Sequence, residues 1–456
     1  MTRKIYSHTQ ALCPICKGKV QARIVGEHDQ VHMEKFCPDH GFSQVLLSSE
    51  EAWYAESLHY VKPKQNPLAT PVTEFKGCPE SCGTCPEHAQ HTCLPVIEIN
   101  TACNMECPVC LKGEPTGTQM SREQFHEVVA NLLRCEGTVS VINLSGGEPT
   151  LHPDLIPMIE DAKKMGVTQV TVSTNGLRLL RDSQLRDDFR RTGTIVALQF
   201  DGFEAITWET LRGRELRADK QALIQIMEQE GVLYSLVATV AQGVNDHEIP
   251  SIVDFFFRSQ ALTLMFQPVA LSGYAARPEF QGQARRITTP DVIRGIGESS
   301  FAERTDFTPL PCSHYSCFAL SYYLDSGDGK WMSLKDFLGK ERFLDIVANR
   351  TLPGLDSGGH AILKERLYEL WSAADSNDNS LAVMQRLKTV IRNMERCAGC
   401  SSDLLQLGMQ AMKAIFIHQF MDVETMDLGR LMKCCNPYPR ANGKLIPMCA
   451  ANVFGG

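Results

Sequence analysis

Apolar and polar positions alternate with a period of two over Lys19-Val20-Gln21-Ala22-Arg23-Ile24-Val25 and again over Val31-His32-Met33-Glu34-Lys35-Phe36. That pattern predicts a short hairpin. From about residue 95 to 285, β-rich runs alternate with helical stretches. Strands are predicted at 95–100, 138–144, 168–174, 194–200, 232–240 and 262–268. Helices fall between them, such as Ser121 to Leu133 and His152 to Lys164. Ser121-Arg122-Glu123-Gln124 has helix-start chemistry with an acid in the first turn, and Thr289-Pro290-Asp291 reads the same way. Strand–helix alternation predicts an α/β fold with a parallel sheet and right-handed crossovers. Six units make a partial (β/α)6 barrel rather than the full eight, and such sheets collect ligands at the carboxyl ends of their strands.

The apolar, Met-rich run from Leu404 to Met421 predicts a helix buried on most sides. It packs against the barrel, with a hydrophobic channel for a greasy substrate as the alternative. Prolines across 61–77 read as a linker. The chain divides into a metal module (1–65), a cysteine-rich segment (66–94), the barrel core (95–285) and a cysteine-rich, helical C-terminal extension (286–456).

Composition narrows the class. A chain of 456 residues suits two to four domains at about 150 residues each. No run approaches the roughly 18 apolar residues of a membrane span, and the N-terminus lacks the apolar core of a signal peptide. The net charge of −8 argues against a nucleic-acid surface. Eighteen cysteines in metal-ligand spacings, without a signal peptide, point to a cytoplasmic metalloprotein.

The cysteines carry the candidate chemistry. Cys103, Cys107 and Cys110 stand at C-x3-C-x2-C spacing just after the β-rich run Pro95 to Asn100. A loop leaving a strand there can wrap three thiolates around one face of a [4Fe–4S] cube. One iron then keeps an open position for a chelating small molecule. A zinc knuckle and a plain electron-transfer cluster are the alternatives. Cys13 and Cys16, with Cys37 and His40, form two knuckles joined by the hairpin, suited to one tetrahedral Zn²⁺ or Fe ion. Cys78, Cys82, Cys85 and Cys93 are enough to close a second cluster, with structural zinc as the rival. Cys312, Cys317, Cys397, Cys400, Cys434, Cys435 and Cys449 exceed what one cluster takes. Adjacent Cys434 and Cys435 do not easily serve the same one. A useful auxiliary cluster must sit near the active site, so the C-terminal region is expected to fold back over the barrel mouth. Cys135 reads as a small core hydrophobe.

Polar groups also fall at predicted strand ends. Gly146, Gly147 and Glu148 follow the second core strand, where glycines let backbone approach a ligand. Ser173 and Asn175 are placed to bond ribose hydroxyls, with an ordinary Asn-Gly turn as the alternative. Gln199 and Asp201 form a polar pair suited to sugar, carboxylate or substrate, unless Asp201-Gly202 is only a turn. Gln267 is expected to face the cavity.

CNxxCPxC at 103–110, with LSGGEPT on the next strand end, resembles the signature of radical S-adenosylmethionine (radical SAM) enzymes. The blocks CPxC…CPDHG, KGCPxxCGxCPEHxQHTC, LQFDG, GVND, FQPV, PCSHxxC and FMD…CC…PMC extend the likeness over nearly the whole chain. In that order they are similar to the subgroup holding archaeal tetraether lipid synthases and the pterin-methylating enzymes of methanogens. The resemblance implies that Gly146, Gly147 and Glu148 meet the methionyl amine, and that Val244 and Asn245 belong to the adenine-side loop. It implies a rubredoxin-like mononuclear metal, a radical SAM cluster, auxiliary [4Fe–4S] clusters and a reductant such as ferredoxin or flavodoxin. The implied reaction is reductive cleavage of S-adenosylmethionine to a 5′-deoxyadenosyl radical, which functionalises an unactivated C–H carbon. The leading expectation is carbon–carbon bond formation on a lipid-like substrate, with peripheral membrane contact. Methylation of a pterin or other heterocycle is the alternative, and a non-catalytic electron-transfer protein a third.

Overall fold

The computed structural model describes residues 3–70, 77–79, 83, 85–112, 114–327, 329–350 and 412–454, with isolated positions in between. Four strands, β1 (Lys4–Leu12), β2 (Lys19–Glu27), β3 (Gln30–Cys37) and β4 (Gly41–Ser48), form an antiparallel sheet in chain order. The expected hairpin is its β2–β3 pair. Alternation in β2 buries Val20, Ala22 and Ile24 and turns Lys19, Gln21 and Arg23 outward.

The main sheet has ten strands. Its parallel part runs through β5 (Val96–Asn100), β6 (Val141–Gly146), β7 (Gln169–Thr174), β8 (Ile195–Gln199), β9 (Tyr234–Val240) and β10 (Thr263–Pro268) in sequential order. These are the six strands read from the pattern. Helices pack on the outer face. The helix Arg122–Glu136 starts at a Ser121–Gln124 capping box and buries Phe125, Val128, Val129 and Leu132. That spacing of i, i+3, i+4 and i+7 gives one apolar stripe. Cys135, in the same helix, is fully buried in this core.

The C-terminal region departs from expectation. The run Leu404 to Met421 does not form a helix over its described part: Met412–His418 is a strand, which we number below in chain order. Its side chains are mostly buried, so a strand covered on both faces carries the same unbroken apolar run as a buried helix. Residues 404–411 lie outside the described residues. After β11 (Thr308–Pro309), β12 (Phe318–Gly327) and β13 (Lys330–Ser333), this strand is β14. It pairs parallel with β10 on one side and antiparallel with β12 on the other. The extension therefore continues the barrel sheet as well as adding helices.

It also returns to the far edge. A small ladder of β15 (Pro437–Pro439) and β16 (Leu445–Pro447) packs beside β5, with Tyr438 and Ala451 clustering on Val96. Cys93 and Leu94 donate their backbone N–H groups to Cys435 O, at 2.8 and 3.2 Å. Residues after 418 thus pack along the β5 edge of the barrel. No helix among the described residues is long and apolar enough to cross a membrane.

Candidate metal centres and active site

In the N-terminal sheet, the turns before β2 and after β3 bring Cys13, Cys16, Cys37 and His40 together, with all ligand atoms within 4.8 Å of one another. Cys16 Sγ lies 3.9 Å from Cys37 Sγ, and His40 Nδ1 lies 3.6 and 3.5 Å from Cys13 and Cys37 Sγ. One Zn²⁺ bonded tetrahedrally at about 2.3 Å to sulfur and 2.0–2.1 Å to nitrogen sets its ligands about 3.5–3.8 Å apart. The donor set fits a single metal ion. Burial opposes a Cys13 thiolate, but the backbone groups of Cys16 and Ile15 and the neighbouring thiols outweigh it and bring its pKa down to about 6.

Cys103, Cys107 and Cys110 leave the end of β5 and line one cavity of ≈ 810 Å³, which runs along the inner face of the strands from their first residues, such as Val141 and Gln169, to their carboxyl ends. None is in a disulfide. Three soft donors opening on one space fit one face of a [4Fe–4S] cluster. Burial pushes the Cys103 thiol up to about 11 and raises Cys107, despite the Arg212 guanidinium beside it. A cationic cluster is what makes such thiols ligands.

The glycines after β6 serve this loop. A Cβ on Gly146 would collide with Asn100 O, and one on Gly147 with Ala102 O. Gly147 and Glu148 donate their N–H groups to Asn100 O at 2.9 Å and Ala102 O at 2.7 Å. These two N–H groups therefore hold the cysteine loop against the end of β6. Glu148 is 1% exposed. Its carboxylate accepts from Thr150, from Thr174 Oγ1 at 2.7 Å and from Asn175 N at 2.8 Å. It positions the ends of β6 and β7.

Ser173, Asn175, Gln199 and Gln267 all line the cavity. Asn143 Nδ2 donates to Ser173 Oγ at 2.9 Å, and Thr171 Oγ1 to Asn143 Oδ1 at 2.9 Å, giving a polar floor. Asn175 Nδ2 bonds Asn104 Oδ1 of the cysteine loop at 2.7 Å.

Three residues expected at the ligand, Asp201, Val244 and Asn245, do not line this cavity. Asp201 is fully buried beneath the cavity, held by Arg212 at 2.7 and 2.8 Å, by Gln199 Nε2 and by Thr239 N. Burial opposes its charge, but the guanidinium wins and lowers its pKa. Its role is to aim Arg212, a residue missed in the sequence because an arginine at a helix end is ordinary. Asn245 is also fully buried, donating to Asp201 O and Thr239 O at 2.8 Å and accepting from Ala241 N at 3.0 Å. Val244 packs in an apolar cluster with Val109 and Leu211. These residues brace the loop after β9.

The late cysteines divide into two neighbourhoods. The Cys93 thiol lies beside those of Cys312 and Cys435. Its backbone bonds to Cys435 O carry it there. Cys434, next in sequence, feels Cys449 and Cys317 as well as Cys435. Arg430 Nε donates to Cys317 Sγ at 3.0 Å. Cys78 and Cys85 remain close enough for the charge of Cys85 to raise Cys78, after burial. Cys82, Cys397 and Cys400 lie outside the described residues. His88 Nε2 lies 2.9 Å from Cys434 O, and His91 Nε2 3.6 Å from Cys93 Sγ, so both brace cysteines.

Comparison with known proteins places these features. Residues 5–49 match the family described as the HMPTM N-terminal zinc ribbon domain, and residues 75–256 match the radical SAM superfamily. A 7,8-dihydro-6-hydroxymethylpterin dimethyltransferase of Methanocaldococcus jannaschii is 28% identical over 98% of this chain and 93% of that protein. A GTP 3′,8-cyclase of Chlorobaculum tepidum is 31% identical over 37% of this chain and 51% of its own length. Among solved structures, SuiB of Streptococcus suis bound to S-adenosylmethionine is 14% identical at a TM-score of 0.37, covering 45% of this chain and 46% of that one. Behind a zinc ribbon at residues 5–49, the chain carries a radical SAM domain over residues 75–256.

Proposed function

We propose that the enzyme methylates a reduced pterin or a closely related heterocycle. The supporting observation is the match to the dimethyltransferase, which runs through 98% of this chain and so takes in the ribbon and the C-terminal wall of the cavity. The Chlorobaculum tepidum cyclase match covers only 37% of the chain and carries less.

When bound, a [4Fe–4S] cluster with S-adenosylmethionine supplies one-electron chemistry that opens unactivated C–H bonds. We assign its ligands as Cys103, Cys107 and Cys110. Auxiliary clusters draw on Cys93, Cys312 and Cys435, and on Cys317, Cys434 and Cys449. The ribbon ligands Cys13, Cys16, Cys37 and His40 take one zinc or iron. Ser173, Asn175 and Gln199 orient polar groups of the ligands, Arg212 braces Cys107, and the C-terminal strands keep water out. A reductant of the ferredoxin or flavodoxin kind, in the cytoplasm, completes the assignment.

A second reading, carbon–carbon bond formation on a lipid-like chain, draws on the apolar wall of Leu310, Leu320, Phe416 and Phe420. The deciding experiment incubates anaerobically reconstituted protein with dithionite, S-adenosylmethionine and a 7,8-dihydropterin. The expected products are 5′-deoxyadenosine and a pterin heavier by one or two methyl groups. Cys103→Ala/Cys107→Ala/Cys110→Ala should abolish both. Unmodified pterin beside a coupled acyl chain would replace this reading with the second.

A further inference from the structure

One buried polar side chain on the wall opposite the cysteine loop has no part in the chemistry above. His418 ends β14, is 7% exposed and lines the cavity. Both neighbours in its column are aromatic. Phe318 stacks on the imidazole at 3.8 Å and 22°, and Phe420 lies 4.0 Å away at 40°. The ring faces are therefore occupied, and the edge is what remains. Among the described residues, no hydrogen bond reaches either ring nitrogen. A neutral imidazole carries one donor and one acceptor, which are left for a ligand in the cavity.

The sheet register shows what stands beside it. Phe318 pairs with His418 across β12 and β14. Phe266 pairs with Ile417, so Gln267 falls next to His418, and Gln267 pairs in turn with Thr239. Gln267 and Thr239 line the same cavity. Arg212, which braces Cys107, donates to Thr239 Oγ1 at 2.9 Å. One row across four strands thus runs from an aromatic column, through two amide- or imidazole-bearing side chains, to the cysteine loop.

We propose that His418 and Gln267 form the subsite that takes the hydrogen-bonding edge of a flat, nitrogen-bearing ring. The Phe318–His418–Phe420 column fixes the plane of His418, and the far side of the ring then points along the row towards Cys107. This deepens, and rests on, the reading of the substrate as a pterin-like heterocycle. An acyl chain offers no partner for the imidazole edge, and a site built to hydrogen-bond rejects ligands lacking the matching group by factors on the order of 10⁴.

The test uses the reconstituted holoenzyme titrated with 6-hydroxymethyl-7,8-dihydropterin, with guanosine and with phospholipid micelles, and iron content as the check on folding. His418→Phe keeps the aromatic column and removes the edge. It should weaken pterin binding at least about tenfold, with KM rising far more than kcat falls, and His418→Gln should recover part of the loss. Gln267→Ala, on a different strand, should weaken it independently. Pterin binding within twofold of wild type in both His418→Phe and Gln267→Ala overturns the subsite. So does wild-type protein that takes phospholipid and neither flat ring. Binding of guanosine instead of pterin, lost in His418→Phe, overturns the pterin reading and leaves the subsite standing.

Discussion

Lys220 sits 1% exposed on the helix Arg217–Glu230, its Nζ donating to Asn175 O at 2.6 Å and Gln199 Oε1 at 3.3 Å. Burial brings its pKa from 10.5 to about 7, with the nearby Asp201 charge resisting. Between those values the unfolded chain holds a proton that the folded chain has released, so stability rises with pH across that window. Lys220→Met removes the titrating group. Its urea midpoint should climb less than that of wild type from pH 7 to pH 10, and parallel curves would contradict a buried neutral amine. Neither Lys220 nor Arg212 was legible in the sequence, because a basic residue on an amphipathic helix is ordinary until the fold turns it inward. The place of Ser173, Asn175 and Gln199 on the cavity wall was legible because they stand at strand ends of a parallel sheet. Asp201 and Asn245 sit in equally suggestive motifs, yet the same strand-end position placed them one layer below the cavity, where they bond protein groups.

At the level of elements, the six core strands and their helices were readable because each boundary carries its own chemistry, such as the Ser121–Gln124 box. β14 was not readable. Its apolar run has no period to distinguish a strand buried on both faces from a helix, and its partners lie far away in sequence. Ile415 is fully buried and pairs with Leu264 on one side and Ser321 on the other. Ile415→Ala should cost about 2–5 kcal/mol in denaturant unfolding. A cost under about 1 kcal/mol would mean that the strand is not the packed joint between β10 and β12.

Across the whole molecule, the ribbon is tied to the loop that follows β14. Lys35 Nζ donates to Leu12 O at 3.1 Å and to Glu424 O at 2.5 Å, and Thr9 Oγ1 to Asp427 Oδ1 at 2.6 Å. The cysteine groupings of the ribbon were legible from spacing alone, whereas the partnership of Cys93 with Cys312 and Cys435 was not, since it depends on the chain returning to the β5 edge of the barrel. Cys13→Ala should lose one metal ion per chain by elemental analysis while keeping the iron held elsewhere. Loss of all iron together with that ion would show that the ribbon is required for the barrel to form.

The insertion of β14 between β10 and β12 has a consequence for how the protein is made. β12 ends at Gly327 and β14 begins at Met412. At about 5–20 residues per second, the ribosome leaves several seconds in which β10 and β12 are finished but the strand between them does not yet exist. Two open, apolar strand edges on a nascent chain invite pairing with a neighbouring chain. The cavity wall formed by Phe416, His418 and Phe420 can be completed only after β14 and the loop behind it have left the ribosome. Slow translation over residues 328–411 should therefore lower the soluble yield more than the same delay placed after β14.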